Sequence, residues 1–159
     1  MQDQPIERTV FDLLINKRKT FASAESCTGG NIAHVITLIP GSSDVFKGTA
    51  VTYATPMKSK VLGVPAATIE EHGVVSREVV ERMAEGVRGL MEADFGVATT
   101  GVAGPSGGTE ETPVGTVWIG VASPSGVVSK RFNFGKDREN VINRATIAAY
   151  EMLRQQLLI

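Results

Sequence analysis

Apolar residues fall at helical spacing in some stretches and in short β-prone runs in others, and the two kinds alternate along most of the chain. Val10, Leu13 and Leu14 share one face of a helix predicted over Ile6–Lys17, and a short strand over 20–24 runs into a pair of glycines. A helix over 30–38 is stopped by Pro40-Gly41, and residues 45–54, with Val51, Thr52 and Tyr53, read as a second strand. Pro56 suits the first turn of a helix that carries Lys58 and Lys60 and ends near Gly63. A short helix over 66–71 precedes a longer one over 77–93, which Ser76 caps and whose apolar face holds Val79, Val80, Met83, Val87 and Leu90. Residues 95–99 form a buried strand. Strands over 114–122 and 126–134 are joined by a link so short that they must form an antiparallel hairpin. Asp137 caps a final helix over Arg138–Leu157, striped by Val141, Ile142, Ala145, Ala148, Ala149 and Leu153.

The order α-β-α-β-α-α-β-β-β-α predicts an α/β fold. Strands separated by helices pair in parallel and the late hairpin is antiparallel, so the expected architecture is three-layer α/β/α with a mixed, mostly parallel sheet. At 159 residues, without repeat, linker or low-complexity tract, the chain is read as one domain over 1–159.

Composition narrows the function classes. Apolar residues make up 42% and charged residues 21%, as in ordinary globular proteins, and the net charge of −1 offers no basic field for nucleic acid or anionic membrane. No apolar run nears the roughly 20 residues of a membrane span, and Met1 to Pro5 lacks a signal-peptide pattern, so a cytoplasmic location is expected. One cysteine and two histidines, without metal-ligand spacing, argue against a disulfide framework or a metal site.

Two glycine-bearing loops carry the chemistry. In Ala24-Glu25-Ser26-Cys27-Thr28-Gly29-Gly30, Ser26 leaves a strand end just before a helix start, where free N–H groups favour an anion or a developing oxyanion. The simpler alternative is that Ser26 or Thr28 caps the helix while the glycines make the turn. Cys27 is a rival nucleophile at the same helix start, or else an inert core thiol, since no histidine pairs with it recognisably. Glu25 either tunes the site or pairs with a nearby lysine. The second loop places Gly101, Gly104, Gly107 and Gly108 after Thr99-Thr100, at a strand end where open α/β sheets bind ligands. It fits neither a Walker A nor a dinucleotide-binding fingerprint, and it can equally be read as a flexible surface loop. Lys58, a few residues after Tyr53, is a general base if burial lowers its pKa and a solvated helix lysine otherwise. Arg138 at a helix start is electrostatically disfavoured unless something such as phosphate binding compensates.

Taken in register, these stretches resemble the CinA C-terminal domain family, the nicotinamide mononucleotide deamidases. The resemblance runs from the Ala24–Gly30 loop through Val51-Thr52-Tyr53, Lys58, Leu62-Gly63-Val64 and Gly73-Val74-Val75-Ser76. It continues over residues 100–108 and 113–117 and closes with 134–138. It implies hydrolysis of the carboxamide of nicotinamide mononucleotide to nicotinate mononucleotide and ammonia, in pyridine nucleotide salvage, with no metal or organic cofactor. Ser26 lies on the family's nucleophile position and Lys58 on its base, with Tyr53 and Thr100 at polar positions lining the same site. Thr28, Gly29, Gly30, Thr55, Gly101, Gly104, Gly107, Gly108 and Arg138 are then substrate-binding candidates. The implied partner is a small nucleotide rather than nucleic acid or membrane, and a homodimer or higher homo-oligomer suits the family. Two departures touch substrate contacts: Ala54-Thr55 stands where Ser-Asn is usual, and Thr112 where a lysine commonly precedes Pro-Val-Gly. From its 159 residues the chain is expected to resemble the family's free-standing form rather than the form with an added N-terminal domain. A non-catalytic nucleotide-binding domain of the same family is the alternative.

Overall fold

A computed structural model describes residues 4–159. Five strands, β1 (Phe21–Glu25), β2 (Phe46–Val51), β3 (Phe95–Gly101), β4 (Thr116–Ser123) and β5 (Gly126–Asn133), form one sheet in the order β2-β1-β3-β4-β5. The β2-β1 and β1-β3 pairs are parallel, and the β3-β4 and β4-β5 pairs are antiparallel. Only β4 therefore opposes the other four strands. The mixed sheet with helices on both sides is the α/β architecture the alternating pattern predicts.

Six helices cover the sheet: α1 (Ile6–Lys17), α2 (Asn31–Thr37), α3 (Thr55–Leu62), α4 (Ala66–His72), α5 (Arg77–Leu90) and α6 (Arg138–Leu157). The pleat divides them. Phe21, Val97, Val117, Ile119 and Val121 point to the face covered by α1, α2 and α6, where Leu14, Ile36, Ala149 and Leu153 complete a core of large side chains. Ala22, Ala24, Ala98 and Ala122 point the other way, towards Val79, Val80, Met83 and Val87 of α5. The small residues on this second face let α5 come close. A Cβ at Gly96 would lie 2.2 Å from the carbonyl oxygen of Ala84, so β3 touches α5 backbone to backbone.

Two side-chain caps form as the sequence predicts: the Ser76 hydroxyl accepts from Val79 N at α5 and the Asp137 carboxylate from Asn140 N at α6. Some boundaries move, each for a local reason. α5 ends at Leu90 rather than 93, because Glu92 turns left-handed (φ 51°) and swings the chain into β3. β4 begins at Thr116 rather than 114, because Gly115 (φ 92°) sits in a turn closed by Thr116 N donating to Pro113 O. No helix among the described residues is long and apolar enough to cross a membrane.

The topology creates the crevice. From β1 the chain crosses through α2 to one side of the sheet, and from β2 it crosses back through α5 to the other side of β1. Crossovers of one hand in opposite directions put α2 and α5 on opposite faces, leaving a gap beyond the carboxyl end of β1. The ends of β1, β2 and β3 all open there, since those three strands are parallel.

Candidate active site

Ser26 is the first residue past β1. Its neighbours are fixed by continued strand pairing: Thr52 N donates to Glu25 O at 2.9 Å, carrying the β1-β2 ladder one residue beyond the end of β2. Pro56 and the left-handed Gly63 then bracket α3, whose i, i+3 spacing puts Thr55 and Lys58 on one face. That face meets the Ser26 turn. Lys58 is 1% exposed, and its Nζ lies 3.1 Å from Ser26 Oγ and donates to the Thr52 carbonyl at 2.6 Å.

Burial pulls the Lys58 amine below the ordinary lysine value of 10.5, because desolvation penalises the ammonium form. No carboxylate pairs with it among the described residues. The same burial pushes the Cys27 thiol up to about 12. A thiol held protonated in this way is a poor nucleophile. The geometry therefore favours Ser26, 3.1 Å from an amine shifted towards its neutral form, over Cys27. Thr52 Oγ1, between the ladder and Lys58 in sequence, is buried without a hydrogen-bond partner among the described residues. Buried polar atoms without a partner are few in folded proteins.

Ser26, Tyr53, Thr55, Lys58, Thr100, Gly101 and Arg138 line one cavity of about 190 Å³, together with Cys27, Val74, Val75 and Ala103. Ser26, Lys58, Tyr53 and Thr100, which the resemblance puts at one site, thus meet, although they come from three strand ends and a helix. Thr100 Oγ1 donates to Val74 O at 2.9 Å, which ties the end of β3 to the segment before α5. Arg138 answers the electrostatic puzzle of its position: Nη1 donates to Gly104 O at 2.7 Å and Nη2 to the Tyr53 hydroxyl at 2.8 Å. It bridges the second glycine loop to the end of β2 across the mouth, with Tyr53 59% exposed beside it.

Six sequence candidates do not line this cavity: Thr28, Gly29, Gly30, Gly104, Gly107 and Gly108. Gly29 (φ 61°) and Gly30 (φ 99°) form the left-handed turn into α2. Thr28 gives its hydroxyl to Glu25. Gly104 reaches the site only through its carbonyl on Arg138. Gly108 packs on Val114, where a Cβ would meet Val114 N at 2.5 Å. Gly107 lines an adjoining cavity of about 300 Å³ that shares Val74 and Val75 with the first and also holds Glu111 and the departing Thr112. A larger space of about 420 Å³, between α1, α2 and α6, is apolar and holds none of these groups.

Two residues gain roles that the sequence reading left open or passed over. Glu25 pairs with no lysine; it accepts from Ile32 N and Ala33 N, at 2.9 and 3.1 Å, and so occupies the positive end of α2 itself. Thr99 sits under the Ser26 turn, with Ser26 N 3.5 Å from its hydroxyl oxygen. Its position, one residue before Thr100 on an alternating strand, was the available signal: the two must face opposite sides of the sheet.

An α/β/α domain whose parallel strand ends present a buried serine–lysine pair is the class that fold and site together define. The chain belongs to the CinA C-terminal domain family, whose model matches residues 3–157. It is 44% identical over 158 residues to a CinA-like protein of Fervidobacterium nodosum, covering 99% of this chain and 39% of that protein. A CinA-like protein of Desulfosudis oleivorans is 50% identical over 154 residues, covering 96% of this chain and 37% of that protein. The chain thus spans about two-fifths of the length of these relatives. The crystal structure of the competence/damage inducible protein CihA from Agrobacterium tumefaciens superposes with a TM-score of 0.93 at 35% identity, covering 100% of both chains.

Proposed function

We propose that this domain hydrolyses the carboxamide of nicotinamide mononucleotide to nicotinate mononucleotide and ammonia, with Ser26 as nucleophile and Lys58 as base. The observation that carries the reading is the 3.1 Å approach of Lys58 Nζ to Ser26 Oγ at the edge of a cavity, with the amine desolvated and held by the Thr52 carbonyl. A neutral amine that donates one N–H to that carbonyl keeps its lone pair for the Ser26 proton.

The steps follow from that geometry. Ser26 Oγ attacks the carboxamide carbon as its proton passes to Lys58 Nζ. The tetrahedral oxyanion takes N–H donors from the turn after Ser26, where Cys27 and Thr28 precede the left-handed glycines. The lysine ammonium returns a proton to the departing nitrogen, the C–N bond breaks and ammonia leaves. Water, deprotonated by the regenerated amine, then hydrolyses the acyl-serine. Because Glu25 already fills the N-terminus of α2, the substrate phosphate is assigned to the opposite rim, where Arg138 stands with Tyr53. Thr55, in place of the usual asparagine, keeps a hydroxyl at the cavity wall.

The test is ammonia release, with nicotinate mononucleotide followed by chromatography, from chelator-treated protein given nicotinamide mononucleotide. Turnover is expected to survive the chelator and fall by about 10³-fold or more in Ser26→Ala. Cys27→Ala is expected to retain turnover and to leave iodoacetamide without effect. Binding without product would leave a non-catalytic nucleotide site, and loss of activity in Cys27→Ala alone would move the nucleophile.

A further inference from the structure

The carboxylate of Glu25 is 0% exposed and no basic side chain pairs with it among the described residues. It is met instead by two backbone N–H groups and three hydroxyls. Oε1 accepts from Thr28 Oγ1 at 2.8 Å and Ile32 N at 2.9 Å. Oε2 accepts from Ala33 N at 3.1 Å, with the hydroxyls of Ser23 and Thr49 at 3.0 and 3.1 Å. One side chain thus gathers β1, β2 and α2 immediately behind Ser26.

The bonding fixes a proton order. A carboxylate only accepts, so the single hydrogen of Thr28 is committed to Glu25. Thr28 Oγ1 and Thr99 Oγ1 lie 2.9 Å apart, and with Thr28 spent, Thr99 must be the donor. The Thr99 oxygen is then left with lone pairs for Ser26 N. We propose that Glu25 is a positioning residue: through Thr28 and Thr99 it sets the turn that aims Ser26, without touching substrate.

Glutamine cannot replace it. Each carboxylate oxygen takes one backbone N–H, so either orientation of an amide sets its NH₂ against Ile32 N or Ala33 N. The hydroxyls can reverse, but the backbone donors cannot. Thr28→Val is the gentler break, since it cuts the link to Thr99 and leaves both backbone donors in place.

The inference rests on Ser26 being the nucleophile, and the experiment separates that from the choice of substrate. Steady-state turnover of nicotinamide mononucleotide is measured alongside labelling of Ser26 by an alkyl fluorophosphonate, read by peptide mass. In the labelling step a Ser26 oxygen–phosphorus bond forms, fluoride leaves and the serine proton passes to Lys58. Glu25→Gln is expected to lower kcat by tenfold or more with KM within about twofold, and to slow labelling by a similar factor. The fraction labelled at completion should equal that of the parent protein, which excludes simple misfolding. Thr28→Val should show the same pattern more weakly, and it carries the test if Glu25→Gln fails to fold. A raised KM with kcat intact, or unchanged labelling in folded Thr28→Val, overturns the proposal. Should the parent protein label at Ser26 without hydrolysing the mononucleotide, the substrate is wrong while the labelling rates still decide the role of Glu25.

Discussion

Lys58→Met is expected to give a folded protein whose turnover of nicotinamide mononucleotide is lower by about 10³-fold, within the range a general base contributes. Methionine has nearly the volume of lysine and suits a site that is 1% exposed, so the substitution removes the amine without opening a cavity. The Thr52 carbonyl loses its donor, at a cost of about 1–3 kcal/mol. Against this, the variant no longer buries an amine whose charged form the site disfavours. The sign of the pH effect follows from the lowered value in the folded state. Between that value and 10.5 the unfolded chain binds more protons than the folded one, so parent stability rises with pH across the window. The variant should lose that rise. Parent activity should also climb with pH, through an inflection below 10.5, as Lys58 becomes neutral. Denaturant midpoints across the alkaline range and a kcat/KM profile of the parent check both limbs. Retained turnover in Lys58→Met would remove the lysine from the mechanism.

The elements were legible because their ends carry local chemistry. Ser76, Asp137, Pro56 and Gly63 each act within a turn of their own position, so reading them needs no partner. The sheet order was not legible in that way, because it depends on which side of β1 each crossover takes. The site divides along the same line. Ser26 and Lys58 could be named from motif and resemblance, but their 3.1 Å separation spans 32 residues and exists only once α3 folds against the end of β1. Arg138 looked misplaced at a helix start until Tyr53, 85 residues away, supplied its partner. Glu25 was the misleading case. An acidic residue in a lysine-bearing chain suggests an ion pair, whereas a carboxylate one residue before a nucleophile and just ahead of a helix start can cap that helix from behind. Among the glycines, Gly29 and Gly30 serve the turn, as the simpler reading of their loop has it, and Gly96, which no motif marks, is the one that lets α5 lie on β3.

Gly115→Ala is expected to destabilise the fold by about 3 kcal/mol or more, lowering Tm by roughly 10 °C for a chain of this size. Two independent penalties meet at this residue. Its φ of 92° disfavours any residue with a Cβ, and the added carbon would lie 1.9 Å from the carbonyl oxygen of Gly135. That neighbour is backbone, so it cannot step aside as a flexible side chain would. Gly115 also holds two loops in register, its N–H donating to Val102 O at 2.7 Å and its carbonyl accepting from Phe134 N at 3.0 Å. Any shift there is passed to Val102 and Ala103, which follow the cavity-lining Gly101, and to the segment that leads to Arg138. Gly89→Ala is the matched control. Gly89 lies in α5 with ordinary φ and nothing within 4 Å of a Cβ, so alanine there should be neutral or stabilising by up to about 1 kcal/mol. Thermal unfolding of the two variants beside the parent should therefore show shifts of opposite sign or very different size. Equal shifts would mean that the close approach at Gly115 relaxes freely, and that the second loop is less tightly held than its hydrogen bonds indicate.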